Sequence, residues 1–390
     1  MTRPGENKAH CMVVIGTRPE AIKMAPVVQC LRDGAADLRA TLLCTGQHIE
    51  LVEQVLSLFQ LRPDFDLRLM EHSQSHSGFL RKALAGLEDV FRREQPDLVL
   101  AQGDTNTVLA ATLSAFHLGI STGHVEAGLR TDNLREPFPE EANRRLTSVL
   151  ADLHFAPTTT SRDNLLRENV EAERVFLTGN PVVDALQDIR GRALDEAAVA
   201  FPFLANGRRV LLVTAHRREN HGAPIDSICR AVGRIVDEFL DTEVVWPVHP
   251  HPKVKEPVLQ HLAGRERVHL TDPLGYATLI GVLASSTLVL TDSGGLQEEA
   301  PAFGKPVLTL RANTERPEGV STGNSKLVGT DEDAVVAAAR RLLTDAKEYQ
   351  RMAEAASPYG DGRAAERIVA CVRSHLGLPS AAFQPFQVSR

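Results

Sequence analysis

The segment LVLTDSGGLQEEAPAFGKPV, residues 288–307, contains a complete strand–turn–helix–strand pattern. Its first four residues form a short apolar run of the kind found in buried parallel strands. Ser293 can cap the helix that follows, and Gly294-Gly295 allow bare backbone to approach a ligand. A second β-branched run begins at Val307, so the segment predicts one βαβ unit of a parallel sheet.

The same alternation of short apolar runs and longer helical segments continues along the whole chain. One set of strands is predicted at Cys11–Ile15, Ala40–Cys44, Asp97–Ala101, Ile120–Val125, His154–Ala156 and Val175–Leu177. A second set is predicted at Val210–Thr214, Glu243–Pro247, Val268–Leu270, Leu288–Thr291, Val307–Leu310 and Lys326–Val328. Two such sets predict an α/β protein with two Rossmann-like, doubly wound domains.

The boundary between the domains is predicted at the turn-forming residues Thr178–Pro181. This gives an N-terminal domain at residues 1–180 and a C-terminal domain at 181–363. A Pro/Gly break then precedes a helix at 364–378, which is expected to pack back on the first domain. The tail at 379–390 is expected to be disordered.

Composition excludes several classes of function. The chain has 390 residues, of which 43% are hydrophobic and 24% charged, and its formal net charge is -7. No global basic field is available for nucleic acid or anionic lipid, so neither partner is expected. The five cysteines are scattered without metal-type or paired spacing, and no signal peptide or membrane-spanning run is evident. A cytoplasmic location is therefore expected.

Ligands of open parallel sheets bind outside the carboxyl ends of the strands, so the residues at those ends are candidate site residues. After the first strand, GTRPEAIK places Arg18 and Lys23 near a helix N-terminus, which is half of an anion site. Asp104 follows a later strand, where an Asp is either an N-cap or a site carboxylate. Glu126 follows the next strand. Two acids on neighbouring strand ends are expected to share a crevice.

The second domain offers different chemistry at the same kind of position. His216 follows the strand Val210–Thr214 and precedes two arginines, so it is a candidate site residue. His249 lies in VHPHP, but no third ligand stands at convincing spacing, and no metal site is expected.

The glycine pair after Asp292 is predicted to form an anion cradle, because the helix N-terminus there offers N–H groups. Three cations are candidates to add positive charge nearby: Lys305, Arg311 and Arg316. Glu298 and Glu299 lie one turn into the helix, and one of them is expected to accept hydrogen bonds from sugar hydroxyls.

Eight motifs stand in order along the chain, namely GTRPEAIKMAP, GDTNT, GHVEAGLRT, PFPEEANR, TAHRREN, TDSGGLQEEAP, TERPE and PYGDG. Together they closely resemble the non-hydrolysing UDP-N-acetylglucosamine 2-epimerases of bacteria, from about Cys11 to the helix after Gly362. The resemblance implies a glycosyltransferase-B type fold, with the parallel sheets of two Rossmann-like halves facing a cleft. It also implies a homodimer that interconverts UDP-GlcNAc and UDP-ManNAc without a cofactor or metal.

The family route removes the C2 proton and expels UDP, leaving 2-acetamidoglucal, and then re-adds both. By resemblance the catalytic residues are Asp104, Glu126, Glu140 and His216. Choosing Glu140 over Glu141 rests on the motif alone, and the roles of proton donor and acceptor are not assigned among the acids. The UDP-sugar positions correspond to Arg18, Lys23, Ser293, Gly294, Gly295, Glu299 and Arg316.

Two further regions resemble the family less completely. The family holds uracil with the loop corresponding to Asp272–Leu279, where Leu274 and Leu279 replace the Gln and Phe of close relatives.

Many members are also activated by a second UDP-GlcNAc. Gln47 and His249 match that regulatory site, whereas Glu50 and Ser73 stand where some relatives carry Gln and Arg.

Other functions stay open on the sequence. A hydrolysing epimerase would release free ManNAc and UDP, although Pro19 and Lys23 favour the non-hydrolysing branch. An epimerase of a modified UDP-sugar and a glycosyltransferase share the same architecture. A binding protein without catalysis would have little use for several acids beside a leaving group.

Overall fold

The computed structural model describes residues 8–33, 36–47, 49–71 and 74–388, which form two compact units. The first unit takes the chain up to Ala185 and from Tyr359 to Gln387, and the second contains Leu186–Pro358. The division thus falls at Ala185, a few residues after the turn where sequence alone sets the boundary. No helix among the described residues is long and apolar enough to cross a membrane.

Each unit contains one parallel sheet. The described strands of the first are β1 (Ala9–Ile15), β2 (Leu38–Cys44), β3 (Phe65–Asp66), β4 (Leu98–Gln102), β5 (Ser121–Val125), β6 (Leu153–Ala156) and β7 (Val175–Leu177). Those of the second are β8 (Arg209–Thr214), β9 (Thr242–Pro247), β10 (Val268–Thr271), β11 (Leu288–Thr291), β12 (Val307–Thr309) and β13 (Ser325–Leu327). The orders are β3-β2-β1-β4-β5-β6-β7 and β10-β9-β8-β11-β12-β13. Both are doubly wound orders of the Rossmann type.

The helices connect the strands in the way that parallel pairing requires. In chain order they are α1 (Arg18–Asp33), α2 (Ile49–Leu58), α3 (His76–Glu94), α4 (Asn106–His117), α5 (Glu140–Leu150), α6 (Thr159–Arg167), α7 (Pro181–Ala200), α8 (Ala223–Glu238), α9 (Pro252–Leu262), α10 (Tyr276–Ser285), α11 (Gly294–Ala302), α12 (Pro317–Thr322), α13 (Glu332–Thr344), α14 (Ala346–Ala353) and α15 (Ala364–His375).

Every strand predicted from the sequence is present. Because both faces of these sheets are covered, the strands are nearly continuous apolar runs, and Met12, Val13 and Val14 in β1 are fully buried. In the second unit Trp246 of β9 is buried in the same way. β3 was not predicted, since a strand of two residues shows no periodicity.

The segment Tyr359–Gln387 belongs to the first unit, where α15 packs against α1. Asp184 accepts hydrogen bonds from the first amides of α15, and Arg373 pairs with Asp37 at 2.7 Å. The expectation of a disordered tail after Leu378 is wrong for the described part. Phe386 is buried, and its amide donates to the carbonyl of Leu177 at 2.8 Å.

Candidate active site

The sequence-predicted residues lie at equivalent places in the two sheets. In the first sheet β1 lies between β2 and β4, and in the second β8 lies between β9 and β11. The direction of winding reverses between β1 and β4 in the first sheet and between β8 and β11 in the second. Each reversal opens a crevice at the carboxyl ends of the strands. Candidate residues follow β1, β4 and β5 in the first sheet, and β8 and β11 in the second.

The loop after β1 is held by close packing and by one buried carboxylate. A Cβ added at Gly16 would lie only 2.3 Å from the Thr107 hydroxyl, so this position requires glycine. Glu20 accepts hydrogen bonds from the amides of Gly16 at 2.5 Å and Thr17 at 3.1 Å. It also accepts one from the Thr105 hydroxyl at 2.6 Å, which ties this loop to the loop after β4.

Burial raises the pKa of Glu20 to about 7, while its hydrogen bonds with Thr105, Gly16 and Thr17 oppose the shift. The same loop opens α1, so the side chain of Arg18, which is half-buried, stands at a helix N-terminus.

Glu126 is the most tightly held of the predicted acids. Lys23 donates to both of its carboxylate oxygens, at 2.7 and 2.8 Å. Asn180 donates to Oε1 at 3.1 Å, and Gln102 makes a short bond to Oε2. A carboxylate can accept all of these bonds, whereas a protonated carboxyl would present one O–H to a donor. Glu126 is thus held as an ion.

The backbone of Glu126 has φ of +64°, in the left-handed region that residues other than glycine seldom adopt. Such conformations cluster at functional sites, where the surrounding structure holds them in place.

Asp104 is not the cap of α4, so one of its two predicted roles is excluded. Thr105 is the N-cap, and its hydroxyl accepts from the amide of Val108. Asp104 instead accepts a hydrogen bond from Arg144 at 2.5 Å and keeps about a quarter of its side chain exposed. Its carbonyl also accepts from Asn143 at 3.0 Å. Two residues of α5 therefore fix Asp104 from the opposite side of the loop.

A buried histidine fixes the turn before Asp104. His124 donates from Nε2 to the carbonyl of Gly103 at 2.7 Å. Burial lowers the pKa of His124 to about 4, so the ring is neutral and the tautomer with the proton on Nε2 fits this contact.

The adjacent acids Glu140 and Glu141 have different environments. Glu141 is 0% exposed and accepts from Arg145 at 2.8 Å and from the amide of Thr131 at 3.1 Å, and it pairs with Arg144 at 3.2 Å. Glu140 is half-buried at the first position of α5 and makes no hydrogen bond or ion pair with the described residues. Because Asn143 and Arg144 lie three and four residues further on, Glu140 shares their helix face, one turn from the contacts to Asp104. Glu141 is thus held by two arginines, whereas the Glu140 side chain has no such partner among the described residues.

In the second unit a buried aspartate organises the loop after β8. Asp292 Oδ2 accepts hydrogen bonds from the amides of His216 and Arg217, both at 2.8 Å, and from Asn220 at 2.9 Å. His216 Nδ1 lies 3.3 Å from Oδ1. The His216 ring stacks on His249, with centroids 5.9 Å apart and planes 18° from parallel. Burial lowers the pKa of His216, and Asp292 opposes this while Arg217 and His249 add to it.

The predicted anion cradle is present, but Ser293 does not cap the helix with its side chain. Ser293 occupies the N-cap position of α11 and makes no side-chain cap bond. A Cβ at Gly294 would lie 3.6 Å from Arg217 Nη2, and one at Gly295 would lie 3.8 Å from the Ser293 hydroxyl. The helix N-terminus therefore offers amides beside an arginine, which is the arrangement that anions prefer.

The acids and cations around α11 are arranged in pairs. Arg316 makes a short ion pair with the buried Glu298. Glu299 is buried and accepts from the Tyr276 hydroxyl at 3.2 Å. Tyr276 begins α10 and lies within the segment Asp272–Leu279 predicted to hold uracil, so it links that segment to Glu299. Leu274 and Leu279 in this region are both half-buried.

The other two cations proposed from sequence are Arg311, which is paired with two carboxylates, and Lys305, which follows the far end of α11. Arg311 pairs with Glu219 at 2.6 Å and Glu315 at 2.7 Å. Lys305 follows the carboxyl end of α11, whose nine residues span about 13 Å. Burial and then Arg190 lower the pKa of Lys305.

The predicted regulatory residues lie in different units. Gln47 accepts from the Thr107 hydroxyl at 3.1 Å in the first unit, and His249 stacks on His216 in the second. Glu50 is in the first turn of α2. Ser73 lies outside the described residues. Among the residues that the structure describes, no group of three His, Cys, Asp or Glu side chains is arranged to hold a metal ion.

Comparison with known proteins identifies the family. A family model described as UDP-N-acetylglucosamine 2-epimerase matches residues 32–373. The chain belongs to the UDP-N-acetylglucosamine 2-epimerase family. The UDP-N-acetylglucosamine 2-epimerase of Bacillus subtilis is 47% identical over 372 residues, which cover 95% of this chain and 96% of that protein. The Escherichia coli K12 protein of the same name is 46% identical over 370 residues, covering 93% and 98%.

The structure is similar to solved members of this family. A crystal structure of the Neisseria meningitidis UDP-GlcNAc 2-epimerase bound to UDP-GlcNAc matches with a TM-score of 0.87 at 42% identity, covering 94% of this chain and 100% of that one. The resemblance inferred from the motifs and the predicted fold class, two Rossmann-like domains of glycosyltransferase-B type, are confirmed.

Sequence reasoning missed several residues that hold the predicted acids. Gln102 and Asn180 both contact Glu126, and each follows or ends a strand of the same sheet. Asn180 was interpreted only as a turn residue at a domain boundary. A rule that every polar residue at a strand's carboxyl end is a site candidate would have found both. Arg144 carries no such signal, since it lies among other charges on a helix.

Proposed function

We propose that this protein catalyses the reversible epimerisation of UDP-GlcNAc to UDP-ManNAc at C2, by elimination and re-addition of UDP. The observation that carries the proposal is the set of three acids at the strand ends and helix start of the first unit, each in a different environment. Glu126 is a buried ion, Asp104 is paired and partly exposed, and Glu140 has no partner among the described residues. Membership of the epimerase family supports the assignment.

The environments of the acids divide their roles. Glu126 holds four N–H contacts that would be lost on protonation, so we propose that it positions the sugar and stabilises positive charge rather than moving the proton. Asp104 and Glu140 are more accessible and have fewer partners. General acid–base catalysis at carbon needs groups that exchange protons on both faces of C2, and these two fit that need.

The second unit is proposed to hold the nucleotide. The amides at the start of α11 and the guanidinium of Arg217 suit a diphosphate, both in the bound state and as a leaving group. Glu299, oriented by Tyr276, suits the two hydroxyls of a ribose. Arg316 and Arg18 are proposed to bind UDP by resemblance to the family. This division gives a domain for the acids and a domain for UDP.

The finer properties are proposed on the resemblance. The enzyme is expected to act in the cytoplasm as a homodimer without a cofactor, and its product to supply surface polysaccharides. The five cysteines are all unpaired, which supports a reducing compartment. Activation by a second UDP-GlcNAc through Gln47 and His249 is part of the same proposal.

The test is a proton NMR time course of the purified protein with UDP-GlcNAc in D2O, without added metal or nicotinamide. The proposal predicts UDP-ManNAc with deuterium at C2 of both epimers. Accumulation of free ManNAc and UDP would instead identify a hydrolysing enzyme. Absence of exchange would favour a modified UDP-sugar or a glycosyltransferase.

A further inference from the structure

The two oxygens of the Asp292 carboxylate have different surroundings: Oδ2 accepts several hydrogen bonds, and Oδ1 faces the His216 imidazole. Oδ2 accepts three hydrogen bonds, from the amides of His216 and Arg217 and from the Asn220 side chain. Oδ1 is buried without a hydrogen bond to the described residues. His216 Nδ1 lies 3.3 Å from Oδ1. Asp292 itself is 0% exposed, so Oδ1 has no access to bulk water.

A buried carboxylate oxygen needs a donor, and this places a condition on the histidine. If Nδ1 carries the proton, it can donate to Oδ1 after a small rotation of the ring. If Nδ1 carries a lone pair, two acceptors face each other and Oδ1 stays unsatisfied. Such contacts are often long in the free protein and shorten in the complex with substrate. A preference of about tenfold or more for Nδ1–H follows from the cost of an unsatisfied buried acceptor.

We propose that Asp292 is a positioning residue that holds His216 in the tautomer with the proton on Nδ1, so that Nε2 is the nitrogen that exchanges protons. This rests on the proposed function, in which UDP departs and returns at the second unit, the unit that contains His216. In one direction the Nε2–H of the imidazolium moves to an oxygen of the diphosphate as the C1–O bond breaks. In the return direction the same proton moves back to Nε2.

The surroundings of the ring support this arrangement. The charged and titratable groups that act on His216 are Asp292, Arg217 and His249. Two of these disfavour the imidazolium, and Asp292 is the one that favours it. Asp292, which orients His216, directly precedes Ser293 and Gly294 of the anion cradle in the sequence. One strand end thus places the anion site and the group that orients the histidine.

The decisive experiment observes the tautomer in the free protein. Protein labelled with 15N-histidine is studied by long-range 1H–15N correlation at about pH 8, where histidine is neutral. The His216 signals are assigned by their loss in His216→Gln. A protonated Nδ1 and an unprotonated Nε2 are expected. The opposite tautomer in the wild-type protein would overturn the proposal. Because no substrate is present, this result does not depend on whether the protein is an epimerase.

The variant Asp292→Asn tests whether the Asp292 carboxylate causes the preference of His216 for the proton on Nδ1. The amide oxygen can still accept from the two backbone N–H groups, and the side-chain NH2 then faces Nδ1 as a donor. The expected result is a loss of the Nδ1–H preference, a fall in kcat of about 10- to 100-fold and a nearly unchanged KM. The pH at which His216 titrates should fall, since the favourable charge is removed. An unchanged tautomer in a folded variant would overturn the proposal.

A matched control separates orientation from general weakening of the sheet. Thr309 and Ser325 share a buried hydrogen bond of 2.8 Å in the same sheet, away from β8. Ser325→Ala removes it and should leave the His216 tautomer and kcat unchanged. If this control loses kcat as much as Asp292→Asn does, the role assigned to Asp292 is wrong. If Asp292→Asn fails to fold, the wild-type tautomer still decides.

Discussion

The two units of this protein share one strand order, with one additional strand in the first, but have opposite chemistry at the carboxyl ends of their strands. In the first unit the loops after β4 and β5 contain carboxylates held by cations, as in Asp104 with Arg144 and Glu126 with Lys23. In the second unit the loops after β8 and β11 contain a histidine and the exposed N-terminus of a helix. The fold thus fixes where a site lies, and the side chains decide which reaction step each unit serves.

The roles of glycine differ in the same way. Gly16 in the first unit is required by packing, because any Cβ would clash with two threonine hydroxyls. Gly295 in the second unit has ordinary space around it, so packing does not require glycine there, in agreement with its proposed place in the anion cradle. The contrast separates residues that build the site from residues that leave room for the substrate.

The largest expected effect separates the two neighbouring acids of α5. Glu140→Gln should lower kcat/KM by about 10³-fold and leave the free energy of unfolding nearly unchanged, because Glu140 has no partner among the described residues. Glu141→Gln is the matched control, and it should instead lose about 2 to 4 kcal/mol of stability, since Arg144 and Arg145 would lose a buried partner. Steady-state kinetics and urea unfolding measure both. Reversed effects would contradict the assignment.

The next prediction concerns the pH response of the first unit. Burial raises the pKa of Glu20 to about 7 from an ordinary value of 4.5, so the folded state binds this proton more tightly than the unfolded state. The stabilisation that comes from this proton is fully present below the pKa of Glu20 in the unfolded state. It is lost as the pH rises through about 7. Glu20→Gln should remove a pH-dependent difference of about 3 kcal/mol across this range. Urea unfolding as a function of pH measures it, and an equal slope in the variant would contradict the prediction.

A third prediction uses the two glycines. Gly295→Ala should fold normally and weaken UDP binding by about 10- to 100-fold, because the methyl group occupies space above the helix amides. Gly16→Ala should instead lose about 1 to 3 kcal/mol of stability, since the nearest hydroxyl would lie 2.3 Å from the new atom. Calorimetric titration with UDP and thermal unfolding distinguish the two. Normal UDP affinity in Gly295→Ala would contradict the proposal that the N-terminus of α11 binds UDP.

The smallest expected effect concerns uracil. Leu279 is half-buried in the first turn of α10, at a position where the family resemblance implies Phe. Leu279→Phe should strengthen UDP binding by about threefold through stacking on the base. The change is measured by calorimetry, with UMP and inorganic diphosphate as comparison ligands. If only the affinity for inorganic diphosphate rose, the change would not come from contact with uracil.

Sequence predicted the positions of the strands and the strand-end residues because buried parallel strands leave a strong local pattern. The partners of those residues could not be predicted in this way. Gln102 and Asn180 reach Glu126 only because β4, β5 and β7 share one sheet, and no local pattern records that. Sequence also could not decide whether Asp104 is an N-cap or a site carboxylate, because the answer depends on Thr105 taking the cap of α4 and on Arg144 from another helix.

The division of labour between the two units is tested most directly by titrating UDP into the double variant Asp104→Asn, Glu140→Gln in a calorimeter. Both substitutions lie in the first unit and outside the nucleotide cradle of the second. The account predicts a UDP dissociation constant within about threefold of the wild-type value in a variant that no longer exchanges the C2 proton. A loss of UDP affinity of about tenfold or more would contradict it, because the acids would then belong to nucleotide binding rather than to proton transfer.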